Sequence, residues 1–199
     1  MKRIGICALI AAIFWISGIV ADKESLQKNL IRLHVVAASD SEEDQNLKLQ
    51  VRDAVIGSLQ KEMDRLADPA QAKEYLQRNL PQIAALAEHT LQEAGCNDRV
   101  QVSLQQEAFT TRHYDTFTLP AGIYEALRIT IGEGEGHNWW CVVFPALCVG
   151  ATVEEFEETA HCAGINDSLT AALSGENSCE VRFFVLDAWG RIENFLHEE

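Results

Sequence analysis

Positive charge is what this sequence is shortest of. Against 30 Asp and Glu it sets 16 Lys and Arg, a formal net charge of −14. Between Arg128 and Arg182 no Lys or Arg occurs, while Glu154, Glu155, Glu157 and Glu158 cluster as a solvated acidic face. Such a chain repels phosphate backbones and anionic headgroups, so nucleic-acid binding and electrostatic adsorption to membranes are excluded as first readings. Metal and nucleotide patterns are missing too. Neither CxxC nor HxxxH occurs, so no zinc knuckle, metal or cofactor is implied. The run Gly132-Glu133-Gly134-Glu135-Gly136 lacks phosphate-loop spacing and puts two glutamates where an anion would sit, so it reads as a flexible hairpin turn. No nucleophile, base and orienter share one recognisable pattern. A length of 199 residues is short for two ordinary domains, and 47% hydrophobic with 23% charged residues argues against disorder. One core-bearing domain is expected.

What is present begins with an uncharged apolar run. Lys2 and Arg3 precede Ile4 to Ala21, which reads as an export segment, either a signal peptide cut before Asp22 or an uncleaved membrane anchor. The basic flank orients everything from Asp22 to Glu199 outside the cytoplasm, as a single extracytoplasmic domain. Cys7 then drops out of any disulfide count.

Residues 30–36 read as a short strand or extended segment, after which the spacing turns helical. Asp40 or Ser41 can cap this helix, and Leu47, Val51, Val55, Leu59, Met63 and Leu66 form its apolar stripe to about Ala67. Asp44 and Lys48 stand four apart and should pair for about 0.2–0.5 kcal/mol. A second helix starts at Asp68-Pro69 and ends at Gly95, with Pro81 expected to kink or split it near Asn79. His89 reads as a surface or rim residue of this helix.

Alternation at Val100, Val102 and Leu104 marks a half-buried strand. Residues 122–131 read as a strand with one wet face and 137–144 as one covered on both. Helices are expected at Val153 to Cys162 and before Gly175, a last strand at Val181 to Leu186, and a helix at Asp187 to His197 with Trp189, Ile192, Phe195 and Leu196 on one face. The class is α+β: an antiparallel sheet of 100–105, 122–131, 137–144 and 181–186, covered by the two helices of the N-terminal half and by the last one.

Leu119 to Cys148 carries the most specific wording. Asn138, Trp139, Trp140, Cys141, Phe144, Pro145, Leu147 and Cys148 fall in the register of the stage II sporulation protein R family, which this stretch closely resembles. Ala146 stands where that family has a second proline. A distant second match comprises His34, Val35, Ala37, Ser39, Asp40, Asp44, Gln45, Lys48, Arg52 and Asp53, with Ala38 in place of an asparagine. A third keeps Phe109, Thr111, Arg112 and Tyr114, with Thr110 in a proline position. The resemblance implies an intercellular signal, exported from the forespore into the space between the two membranes. There it activates a membrane-embedded aspartic protease that processes a pro-sigma factor in the mother cell. On that reading the chain is an activator, not an enzyme. Caps and core explain only some of the matching positions, so the expected partner surface is His34, Ser39, Asp40, Asp44, Lys48, Arg52, Arg112, Tyr114, Asn138, Trp139 and Trp140.

Two other classes compete. An exported hydrolase would use Cys141 with His137, His113 or His161 as base, or His34 with Asp40 or Asp44. A structural envelope protein would bind peptidoglycan. In an exported chain a cysteine with another seven residues on is more often oxidised than catalytic, so Cys141 and Cys148 are expected to form a disulfide. Pro145 forces the chain out of the strand, and a turn there can bring Cα atoms within the 4.4–6.8 Å that a bridge needs. Cys162 and Cys179 form a further candidate pair, which would leave Cys96 unpaired.

Overall fold

The computed structural model describes residues 2–66, 68–148, 153–162, 164–175 and 180–197. All six residues of β1 (Ile31–Val36) are buried, a pattern that only an interior strand sustains. On one side of β1 lies β5 (Gly122–Ile131), parallel to it; on the other lies β6 (Asn138–Phe144), antiparallel. β2 (Val100–Phe109) completes the four-stranded sheet antiparallel to β5, and β3 (Arg112–His113) with β4 (Thr118–Leu119) forms a separate small hairpin.

The mixed α+β class stands, with the sheet corrected in membership and direction. Residues 31–36 supply the fourth strand and introduce a parallel pair. Residues 181–186 belong to α6 (Glu180–His197), because a short apolar run fits either period and no sheet edge takes it. β6 is an edge strand, with Asn138 exposed, Trp139 and Trp140 half-buried and only residues 141–144 buried. β2 runs four residues beyond the expected end at Gln105, to Phe109.

Strand alternation sends side chains to two cores. Ile31, Leu33 and Val35 point with Leu127, Ile129, Cys141 and Val143 toward α2 (Glu42–Met63) and α3 (Pro69–Glu93). Ser41 caps α2 by accepting from the Asp44 amide at 3.1 Å, and Leu47, Val51, Val55, Leu59 and Met63 are buried, with Leu66 packed at the margin. α2 stops at Met63, short of Ala67. α3 passes Pro81 without being split and ends as expected at Gly95. The Gly95 amide bonds the Gln92 carbonyl and the Cys96 amide that of Leu91, the paired bonds of a left-handed glycine cap. His89 is exposed.

The opposite face meets α1 (Lys2–Asn29), α4 (Val153–Cys162), α5 (Asp167–Ser174), α6 and the small hairpin, through Leu26, Leu30, Phe117, Tyr124, Phe156, Leu169 and Leu186. α4 and α5 lie where the sequence puts them, and Gly175 closes α5 with φ 80°. α6 rests on backbone: a Cβ at Gly190 would stand 1.6 Å from the Ala121 carbonyl oxygen. Asp187 reinforces the contact by accepting from the Ala121 amide at 2.9 Å and from Thr111 and Arg191. Trp189, Ile192, Phe195 and Leu196, with Val181 and Phe184, therefore face outward and are exposed. Cys179 lies outside the described residues, so its pairing with Cys162 does too; Cys96 and Cys162 are free.

In α1, Ile6, Ile10, Ile13, Phe14, Trp15 and Ile16 are exposed, whereas Ile19, Asp22, Lys23 and Leu26 are buried against the domain. Among the described residues no helix is long and apolar enough to cross a membrane. The side chains at 4, 5, 8, 9, 11 and 12 of the apolar run fall outside that set.

Candidate functional site

The glycines of the β5–β6 turn bring two distant segments of sequence together. Gly132 and Gly134 take φ of 57° and 69°, which side chains rarely adopt, and the chain then lies against the connection between β1 and α2. The Glu135 amide bonds the Ala38 carbonyl at 3.2 Å and the Gly136 amide that of Ala37 at 3.0 Å. A Cβ on Gly136 would sit 2.2 Å from the Ser39 carbonyl oxygen. This turn, read as flexible from its composition, is held along its second half.

Around that clasp stand most of the expected site residues. Asp40 accepts from the His137 amide at 2.6 Å and also pairs with the His137 ring. Ser39 donates to Asp44, so the expected Asp44–Lys48 pair does not form. Lys48 instead crosses to the His137 carbonyl at 2.9 Å and to Gln45 at 2.5 Å. Burial lowers the pKa of Lys48, with Asp40 opposing and Arg52 adding to the shift. Asp40 and Lys48, both expected on the partner surface, are tied to His137.

His34 meets neither Asp40 nor Asp44. It sits on the face opposite α2, because β1 points alternate side chains to opposite sides. Its Nδ1 is 2.7 Å from Glu107 Oε2 and its Nε2 is 2.9 Å from Asn138 Oδ1. Arg128 donates to Glu107 at 3.2 Å, so a polar row crosses all four strands from β2 through β5 and β1 to β6. Burial pushes Glu107 upward. The His34 hydrogen bond, the His34 and Arg128 charges and the Gln105 amide outweigh it, and the carboxyl ends below its ordinary range. Glu107 and Arg128 were not among the expected residues. The alternation of β2 and β5 places both on the face turned away from α2 and α3, but strand pairing alone makes them neighbours of His34.

The adjacent tryptophans part at the same edge. Trp139 turns to the α2 side, where the Arg52 guanidinium lies 4.7 Å from its ring centre. Trp140 turns to the other side, stacking on His34 at 5.7 Å between centroids and carrying the Arg112 guanidinium 3.3 Å from its ring. Tyr114 stacks on Phe117 and accepts from the buried Arg32 at 2.7 Å. The structure thus gathers all eleven expected partner residues around one end of β1 and the open edge of β6, on both faces of the sheet.

Below the tryptophans the cysteines meet. Cys141 and Cys148 sulfurs lie at bonding distance with Cα atoms 5.3 Å apart, and the Leu147 amide returns to the Val142 carbonyl at 3.2 Å. The loop thereby occupies part of the open edge of β6, a common way of shielding an edge strand. Among the described residues no group of three His, Cys, Asp or Glu could hold a metal ion.

An α+β domain with this edge is what the sporulation signature spells out. Residues 27–154 match the family model of stage II sporulation protein R, and the chain belongs to that family, a family of sporulation proteins. It is 39% identical over 133 residues to the stage II sporulation protein R of Bacillus subtilis strain 168. That match covers 64% of this chain and 59% of the relative, so the chain spans less than two thirds of the relative's length. No solved structure matches the chain. α5 and α6 lie beyond the family match.

Proposed function

We propose that this chain is an exported sporulation signal: it passes from the forespore into the space between the two membranes and activates a membrane-embedded aspartic protease, which processes a pro-sigma factor in the mother cell. Family membership supports the sporulation setting. The observation that carries the activating role is that the family-type polar and aromatic residues converge on one edge of the sheet, partly exposed, with Arg52 and Arg112 laid over tryptophan rings. Exposed apolar side chains along the first turns of α1 support export or anchoring through residues 4–21.

The rival hydrolase needs a nucleophile beside a base. His34 has both ring nitrogens engaged, and the Cys141 sulfur meets Cys148. Co-expression with the protease and its pro-sigma substrate in a non-sporulating host tests the proposal, scoring substrate cleavage. Cleavage is expected only when all three are present. Cutting of the pro-sigma factor by this chain alone overturns the activator reading. Arg52→Ala and Arg112→Ala should keep the fold, as judged by circular dichroism, and reduce cleavage at least about fivefold, the loss expected of an anchor worth about 1 kcal/mol. Wild-type cleavage by both places the interface elsewhere.

A further inference from the structure

One border of the sheet is open. Among the described residues no strand pairs with the outer side of β2, which runs in unbroken register along β5 for its whole length. The Gly132 amide bonds the Arg99 carbonyl at 2.9 Å, which marks these two as a hydrogen-bonded pair, and such pairs alternate along an antiparallel ladder. Gln101, Ser103, Gln105 and Glu107 therefore direct their backbone groups to β5, whereas Val100, Val102, Leu104, Gln106 and Ala108 direct theirs outward. The Ile123 amide agrees: it stands opposite Ala108 and turns away from β2, to Glu193 at 3.4 Å. Among the described residues no hydrogen bond reaches the outward amides and carbonyls from Val100 to Ala108.

Proteins normally blunt such a border with lysine, proline, a bulge or a covering loop. The β6 edge has its loop; β2 has none of these. Its sequence VQVSLQQEAF holds no Lys, Arg, Pro or Gly, and its single charge, Glu107, is turned onto the sheet face toward His34 and Arg128. Gln101, Gln105, Gln106 and Ala108 are exposed, so the border can be reached. In a chain of net charge −14 this is a nearly uncharged strip, where a second copy meets the least repulsion.

We propose that β2 pairs antiparallel with β2 of a second copy, about a two-fold axis at Leu104. That register sets outward residues against outward residues, as a ladder requires: Leu104 meets its own counterpart, Val102 meets Gln106, and Val100 meets Ala108. Between them Ser103 faces Gln105 and Gln101 faces Glu107, so no like charges meet. Val102 and Leu104, half-buried at the margin of the α2–α3 core, are covered by the pairing. β6 is the opposite border, so two four-stranded sheets join into one and leave both candidate sites free at its ends. The pairing does not depend on the activator reading.

The test is sedimentation equilibrium of the full chain in density-matched detergent, with its free thiols blocked, from about 1 to 300 μM, where a small interface assembles. A reversible dimer is expected. Gln106→Pro removes an outward amide and no bond to β5, so it should keep the circular dichroism spectrum and weaken the dimer at least about tenfold. Ser103→Glu combined with Gln105→Glu sets acid against acid twice across the axis and should weaken it about five- to tenfold. Ser103→Lys combined with Gln105→Glu should restore wild-type affinity or exceed it. Should Gln106→Pro lose its fold, the two charge variants decide alone. A monomer throughout the range overturns the proposal, and so does a dimer that the charge variants leave at wild-type strength, which would be held by another surface.

Discussion

Glu107 keeps its charge in surroundings that resist it, and the stability of the four-strand polar row therefore depends on pH. Its folded pKa lies below the ordinary value, as does that of Asp187, where burial is outweighed by the Ala121 amide, Thr111 and Arg191. A depressed carboxyl contributes stability that is complete above the unfolded pKa, about 4, and is lost as pH falls through the lower folded value. Thermal melts should accordingly show Tm falling steeply between about pH 5 and pH 3, and Glu107→Gln should start lower at pH 7 and flatten that fall. A parallel fall in the variant would take Glu107 out of the account. At Gly136 the limit is steric. Gly136→Ala drives a Cβ into the Ser39 carbonyl and should cost about 2–3 kcal/mol, read from urea unfolding, with the 37–45 connection losing amide-exchange protection first.

Among the elements, the loop closed by Cys141 and Cys148 and the helix α6 respond to different perturbations. Removing the bridge with Cys148→Ser, or with reductant, should lower stability by about 2–3 kcal/mol on the loop-entropy account, visible as a lower urea midpoint. Unchanged midpoints with and without reductant would show that the thiols do not pair. α6 fails to dock if Gly190 gains a side chain, so Gly190→Val should expose the α1–α6 region to proteolysis while α2 and α3 stay protected. These elements also mark where the sequence could be read. α2, α3 and α5 carry their caps and periodicity within themselves, α4 its periodicity, and all four were legible. β1 was legible as a segment but not as the middle of the sheet, because the parallel pairing to β5 is written in neither strand. Residues 181–186 misled because VRFFVL fits both periods, and the packing that decides is a glycine on a carbonyl. The resemblance marked the residues that the fold brings to the β6 edge; the Glu107–Arg128 half of the row, set by register, was not legible.

At the scale of the whole molecule, α1 continues unbroken across the expected cut before Asp22. Arg182 pairs with the Asp22 carboxylate, Asn166 donates to it at 3.0 Å, and Ile19 is part of the second core. Asp22→Ala leaves Arg182 without its carboxylate and should cost about 3 kcal/mol, measured by chemical unfolding of the full chain. On the export reading proposed above, a cut at this helical bond would have to come before the domain closes. The order in which the strands appear bears on how long the domain stays open. β1 ends at Val36, but its neighbours begin only at Gly122 and Asn138. At about 5–20 residues per second of synthesis, its edges stay unmatched for several seconds after it leaves the ribosome. A chain whose middle strand comes first cannot zip up behind its own N-terminus. It stays threadable until Phe144 has been made, which is the state a translocation channel requires.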